Sequence, residues 1–198
     1  MRVIAGTAKG VRLAPVPGGT RPLADRAREG LFSSLGDEVR GASILDLFAG
    51  TGAVGIEALS RGARAAAFVE ASGPAVRVIR ENLRRAGVDA RAVVLRSDAV
   101  RAVAGDLRGP DGAAFDIVFL DPPYAIEAKA LDAVLTLLQD RGAAGPGALV
   151  VLTRPDAGYM PVIPVNWAAD RRLSYGDAVI FAYRTGADEA PMTEPRED

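Results

Sequence analysis

An acid, two prolines and a tyrosine, Asp121-Pro122-Pro123-Tyr124, stand directly after the apolar run Phe115 to Leu120. The run is rich in aromatic and β-branched residues and reads as a buried strand. Neither proline has an N–H to donate and both fix φ, so the strand stops and the backbone stays stiff. A carboxylate, a free carbonyl and an aromatic ring are thereby held at the carboxyl end of a strand. In open α/β sheets that edge is where ligands bind. A strand-ending turn with an exposed aromatic uses the same residues, however, so the motif has to be weighed with what lies upstream.

Upstream, Leu45-Asp46-Leu47-Phe48-Ala49-Gly50-Thr51-Gly52-Ala53-Val54-Gly55 reads as strand, glycine turn and helix. The glycines permit a tight turn and let backbone N–H groups approach a ligand at a helix N-terminus. Glu70, followed by Ala71, ends the next strand, where a carboxylate can accept hydrogen bonds from both ribose hydroxyls. The run also matches the dinucleotide fingerprint, which keeps NAD open. Asp46 separates the two cofactors. A carboxylate at that strand end repels pyrophosphate but suits the ammonium and sulfonium of S-adenosylmethionine. Asp98, before Ala99, is placed to accept from an adenine amine, and as a helix N-cap it would serve equally well.

The chain has 198 residues, no cysteine and no histidine. Disulfides, a cysteine nucleophile, an imidazole base, a Ser-His-Asp triad and thiolate- or histidine-ligated zinc are excluded, and no metal site is expected. Carbon-5 pyrimidine methylation, which needs a thiolate adduct, is excluded with them. No run is long enough to span a bilayer and no signal core follows Met1-Arg2, so the expectation is a cytoplasmic protein. The net charge of −1 conceals a basic amino-terminal arm, Arg2, Lys9, Arg12, Arg21, Arg26 and Arg28 against Asp25 alone. Such an arm fits a polyanionic partner, or else a solvated charged face. The tail carries Asp188, Glu189, Glu194, Glu197 and Asp198 against Arg196, with Pro191 and Pro195, and is expected to be disordered.

These residues need a scaffold, and its pattern is legible. Val3-Ile4-Ala5 and Val11-Arg12-Leu13 flank Gly6 to Gly10 and predict a β-hairpin. A helix is expected from Leu23 to Leu35, with Leu23, Ala27, Leu31 and Leu35 on its stripe and Arg26, Arg28 and Glu29 largely off it. Strands are expected over Ile44–Ala49, Ala65–Val69, Ala90–Leu95, Phe115–Leu120 and Ala148–Thr153. Helices over Ala53–Arg61, Pro74–Ala86, Val100–Leu107 and Glu127–Gln139 alternate with them. That alternation predicts an α/β, Rossmann-like fold with a parallel sheet covered on both faces. Arg171–Tyr175 and Ala178–Tyr183, split by Gly176-Asp177, read as an antiparallel hairpin.

The ensemble resembles the class I S-adenosylmethionine-dependent methyltransferases. More narrowly it resembles the bacterial family that methylates guanine N2 in the helix 31 loop of 16S rRNA. The residues that carry the resemblance are Met1-Arg2-Val3-Ile4-Ala5-Gly6, Arg21-Pro22-Leu23-Ala24-Asp25-Arg26-Ala27-Arg28-Glu29, Asp46-Leu47-Phe48-Ala49-Gly50-Thr51-Gly52 and Asp121-Pro122-Pro123-Tyr124. Leu23-Ala24 departs from the threonine pair usual in that family. The resemblance implies a mostly parallel seven-stranded sheet with an antiparallel C-terminal hairpin. It also implies a hairpin-helix extension over 1–40 that faces RNA, a methyltransferase domain over 41–184 and an acidic tail over 185–198. The implied cofactor is S-adenosylmethionine, held by Asp46, Phe48, Ala49, Gly50, Thr51, Gly52, Glu70, Ala71, Asp98 and Ala99. The implied partner is 16S rRNA within a small ribosomal subunit or assembly intermediate, gripped by the basic arm of a monomer.

In this reading Asp121 and the Pro122 carbonyl accept from the exocyclic amine, Pro123 stiffens the turn, and Tyr124 stacks on a flipped-out base. The same four residues would serve adenine-N6 or cytosine-N4 methylation of DNA, or methylation of a protein glutamine amide. An NAD-dependent oxidoreductase lacks a substrate acid–base pair here. A noncatalytic RNA-binding module would gain nothing from an intact Asp-Pro-Pro-Tyr.

Overall fold

The computed structural model describes residues 1–16, 24–123, 125–155, 160–176 and 178–186. Helix α1 spans Asp25–Leu35 and stops at Gly36, whose φ of +54° favours glycine. Strand β1 (Ser43–Leu47) is buried throughout, and α2 (Ala53–Ser60) follows from a left-handed Gly52. After β2 (Ala65–Glu70), helix α3 (Gly73–Ala86) begins at Ser72, whose side chain accepts from Ala75 N–H, and ends at Gly87. Strand β3 (Ala92–Arg96) leads to the short α4 (Ala99–Ala104), then β4 (Phe115–Leu120), α5 (Ala128–Asp140) and β5 (Ala144–Pro155). Strands β6 (Ala168–Tyr175) and β7 (Ala178–Arg184) close the chain as the expected hairpin, turning at Gly176 with φ +62°.

The sheet order is β3-β2-β1-β4-β5-β7-β6, parallel from β3 to β5 and antiparallel at β7. Side chains alternate across it. Ile44, Phe68, Ile117, Phe119 and Val151 face α1, α2 and α3, whereas Leu45, Val69, Val118, Leu120 and Val150 face α4 and α5. Among the described residues no helix is long and apolar enough to cross a membrane.

Three expectations need correction. Strand β5 starts at Ala144 rather than Ala148, because Gly145-Pro146-Gly147 is a bulge within the strand: Phe115 pairs Ala144, yet Ile117 pairs Leu149. Helix α4 ends at Ala104, since Gly105 takes extended backbone and breaks it before Leu107. The amino-terminal hairpin reduces to one bridge, Arg2 with Arg12, beside bonds from Val3 N–H to Val11 O and Gly10 N–H to Val3 O. Leu23, Gly18 and Gly19 lie outside the described residues.

The arm spends its remaining hydrogen bonds on the body. Glu57 on α2, with no exposure, accepts from Ile4 N–H at 2.7 Å and Ala5 N–H at 3.0 Å. Ser60 Oγ accepts from Ala8 N–H at 2.9 Å and donates to Ala5 O at 2.5 Å. Asn82 on α3 accepts from Ala14 N–H at 2.7 Å and donates to Ala14 O at 3.1 Å and Thr51 O at 3.0 Å. Buried acceptors and donors matched in this way avoid the cost of orphaned backbone groups. Gly6 is needed where the arm crosses α2, because at φ +83° an added Cβ would lie 1.9 Å from Ser60 O. Gly10, at φ +86°, has open space around it. Gly10→Ala should therefore lose about 1 kcal/mol of stability from backbone strain alone, and Gly6→Ala about 3 kcal/mol, as read by urea unfolding of the two variants.

Candidate active site at the strand ends

Strands β1 and β4 are parallel neighbours whose following helices, α2 and α5, pack on opposite faces. The crevice between their carboxyl ends is the switch point at which open α/β sheets bind ligands. The register is Asp46 with Phe119 and Leu47 with Leu120. Phe48, entering the glycine turn, and Asp121, entering the Asp-Pro-Pro segment, are therefore the next residues out from each strand.

The turn is wound tightly. Phe48 has φ +61°, a left-handed conformation rare for a bulky residue, and Gly50 and Gly52 are left-handed too. Ala49 N–H donates to Val69 O at 3.1 Å, and Gly52 N–H donates to Ala49 O at 2.7 Å. The third glycine serves packing, since a Cβ on Gly55 would come within 2.4 Å of the Phe68 ring. Thr51 is buried, and its carbonyl is held by Asn82. Glu70 ties the two loops together: Oε2 accepts from Gly50 N–H and Oε1 from Ser72 N–H, both at 2.8 Å. A carboxylate has further lone pairs, so Glu70 retains capacity for ribose hydroxyls. Ala71 beside it is exposed. Asp98 is the N-cap of α4, accepting from Arg101 N–H at 2.8 Å, with its side chain exposed and Ala99 buried behind it.

Asp46 departs from the open carboxylate expected of the sequence. It is 2% exposed, and its Oδ2 accepts from Gly55 N–H at 2.9 Å, serving the first turn of α2. Burial pushes its pKa up to about 8; the Gly55 N–H opposes this, and the nearby Asp121 and Glu70 carboxylates add to it. Among the described residues no three such groups are close enough to hold a metal ion. With Asp46 holding its proton near neutral pH, the negative charge around it is that of Asp121 and Glu70, which disfavours a pyrophosphate and suits a cationic ligand.

Asp121 is half-buried, Pro122 buried and Pro123 exposed, while Tyr124 lies outside the described residues. Ile126 N–H donates to Pro123 O at 3.0 Å, closing the turn after the prolines. On the flank of Asp121 a small crevice is walled by Leu31, Val54, Phe119, Val151 and Thr153. A larger cleft of about 260 Å³ lies at the opposite edge of the sheet, between Glu38, Asp116, Pro146 and Arg184, away from every site residue named above.

Of the basic arm, Arg2, Lys9, Arg12 and Arg26 are exposed, and Arg21 lies outside the described residues. Arg28 is a correction. It has no exposure, donates to Arg2 O at 2.6 Å and Asp25 Oδ1 at 3.1 Å, and lies 3.9 Å from Glu57 Oε2. The buried stripe of α1 is wide enough to include it, and Glu57 compensates its charge, so it braces the arm and cannot meet a phosphate. Glu57, Ser60 and Asn82 escaped the sequence reading. The one signal was an acid amid the otherwise apolar Ala53–Leu59.

Fold, glycine turn and acid cluster together define a class I, Rossmann-like methyltransferase scaffold. The chain belongs to the family described as Conserved hypothetical protein 95, whose model matches residues 1–184. It is 36% identical over 191 residues to Ribosomal RNA small subunit methyltransferase D of Escherichia coli strain K12, covering 94% of this chain and 91% of that one. The solved E. coli protein yhhF superimposes with TM-score 0.83 at 33% identity, covering 94% of this chain and 98% of the other. An RNA methyltransferase from Salinibacter ruber, crystallised with S-adenosyl-L-homocysteine, shares the fold at TM-score 0.63 and 19% identity, covering 87% of this chain and 97% of that one.

The raised pKa of Asp46 has a stability consequence. From its ordinary 3.8 up to about 8 the native state keeps a proton that the unfolded chain has released, so this group's contribution falls as pH rises. Asp46→Asn retains an acceptor for Gly55 N–H and removes the titration. Across that window the wild type should lose up to about 1.4 kcal/mol per pH unit relative to Asp46→Asn, measured by urea unfolding at a series of pH values.

Proposed function

We propose that this chain is an rRNA methyltransferase that methylates the exocyclic N2 amine of a guanine in 16S rRNA, in the helix 31 loop of the small ribosomal subunit. The observation that carries the reading is the register of β1 and β4, which seats Asp121 beside the glycine turn with its charge felt at Asp46. The printed name of the E. coli relative, a small-subunit ribosomal RNA methyltransferase, supports the substrate class.

The residues fit S-adenosylmethionine, which when bound supplies an electrophilic methyl on sulfur. The glycine turn from Phe48 to Gly52 would cradle it, Asp46 would line its cationic end beside the charges of Asp121 and Glu70, Glu70 with Ala71 would take the ribose, and Asp98 with Ala99 the adenine. Asp121 and the Pro122 carbonyl accept hydrogen bonds from the guanine amine. That nitrogen is a poor nucleophile because its lone pair is delocalised into the ring, and two acceptors hold it in line. Asp121 also offsets the positive charge that develops on nitrogen, so no strong base is required. Tyr124 stacks on the flipped base, returning about 1–3 kcal/mol of the unstacking cost. Exposed Arg2, Lys9, Arg12 and Arg26, together with Arg21, meet phosphates.

Asp121→Ala should lower methyl transfer to undermethylated small subunits by about 100-fold or more, with S-adenosylmethionine affinity held within a few-fold. Turnover at the wild-type rate in that variant removes Asp121 from the chemistry.

A further inference from the structure

Helix α3 carries Arg77, Arg80, Arg84 and Arg85 against a single acid, Glu81. Helix α5, of similar length on the other face of the sheet, carries Lys129 against Asp132 and Asp140. Glu81 is engaged with Arg85. Arg77, Arg80 and Arg84 are exposed and make no ion pair or side-chain hydrogen bond among the described residues. At helical spacing these three fall on one outward stripe about 10 Å long, opposite the buried Ala75, Val76, Ile79, Asn82 and Leu83.

Helix stability does not account for this stripe. Cations favour the last turn, where Arg84 and Arg85 sit, but Arg77 and Arg80 lie in earlier turns where the macrodipole gives them nothing. Like charges at i,i+3 and i,i+4, as in Arg77–Arg80 and Arg80–Arg84, destabilise a helix. The stripe also has an extension toward the site. Arg96, exposed at the end of β3 and opposite Glu70 in the register, lays its guanidinium over the start of α3, where a Cβ on Gly73 would come within 3.3 Å of Arg96 Cζ. The amino-terminal arm docks on α2 and α3, so its exposed cations share this face of the sheet.

We propose that Arg96, Arg77, Arg80 and Arg84 form a phosphate-binding track for RNA, separate from the amino-terminal arm, running from the cofactor edge of the sheet along the outside of α3. It rests on the rRNA methyltransferase reading and extends the footprint of the substrate beyond the target base. The recognition is of backbone charge, not of sequence, since the stripe offers cations and no groove or aromatic platform.

The test is a triple variant, Arg77→Gln, Arg80→Gln and Arg84→Gln, in the full chain, with in vitro transcribed 16S rRNA as the probe. Each lost phosphate contact lowers the slope of log affinity against log salt by about 0.7–0.9, so the triple variant should lose about 2–3 from the slope. Affinity at low salt should fall at least about 10-fold, and S-adenosylmethionine binding should stay at the wild-type value. The corresponding triple lysine variant should restore the slope, because a phosphate contact of this kind needs charge rather than guanidinium geometry. A glutamine variant with the wild-type slope overturns the track and leaves the methyltransferase reading standing. Weaker binding without a change of slope also overturns it. A wild-type protein that shows no salt-dependent binding to the RNA overturns the track, while the rRNA reading is decided separately by methyl transfer to undermethylated small subunits.

Discussion

Asp46 is an acid with almost no access to water, and its burial, which keeps it protonated up to about pH 8, governs what the crevice beside it can accept. Its Oδ2 closes the first turn of α2 through Gly55 N–H, so the acid is part of the frame as well as of the site. Moving it would disturb the glycine turn, the start of α2 and the spacing to Asp121 together. Glu70 and Asp121 add negative potential around it. A cation is the natural guest of such a place, and phosphate an unwelcome one. The acid cluster thus separates a methyl-donor site from a dinucleotide site, although the glycine spacing alone accommodates both.

The amino-terminal arm has two separable roles. Its backbone is gripped by Glu57, Ser60 and Asn82, and Gly6 exists because Ser60 O leaves no room for a side chain. Its side chains Arg2, Lys9 and Arg12 are left exposed. Asn82 also holds Thr51 O, so the arm is coupled through one amide to the glycine turn. An extension that reads as an appendage is therefore wired into the site.

The strand–helix alternation was plain in the sequence because apolar runs and glycine stops change period cleanly from two to 3.6. Asp121-Pro122-Pro123 stood out for the same reason: two prolines cannot continue a strand. The proposed cap at Asp98 is present. What escaped depends on tertiary contact. Gly145-Pro146-Gly147 looks like a loop until β4 is laid beside it and becomes a bulge. Arg28 counts as outward on a helical wheel but is buried where the arm's Arg2 O and Asp25 accept from it and Glu57 of another helix offsets its charge. The protonation of Asp46 follows from its enclosure by residues far apart in the chain, which no local pattern encodes.

The most direct measurement is to incubate the protein with labelled S-adenosylmethionine and undermethylated small subunits or free rRNA, then map the labelled nucleotide by mass spectrometry. The account predicts a single methyl on the N2 of one guanine in the helix 31 loop of 16S rRNA. Label on an adenine, on a protein amide, or on no acceptor at all in the presence of bound cofactor would contradict it.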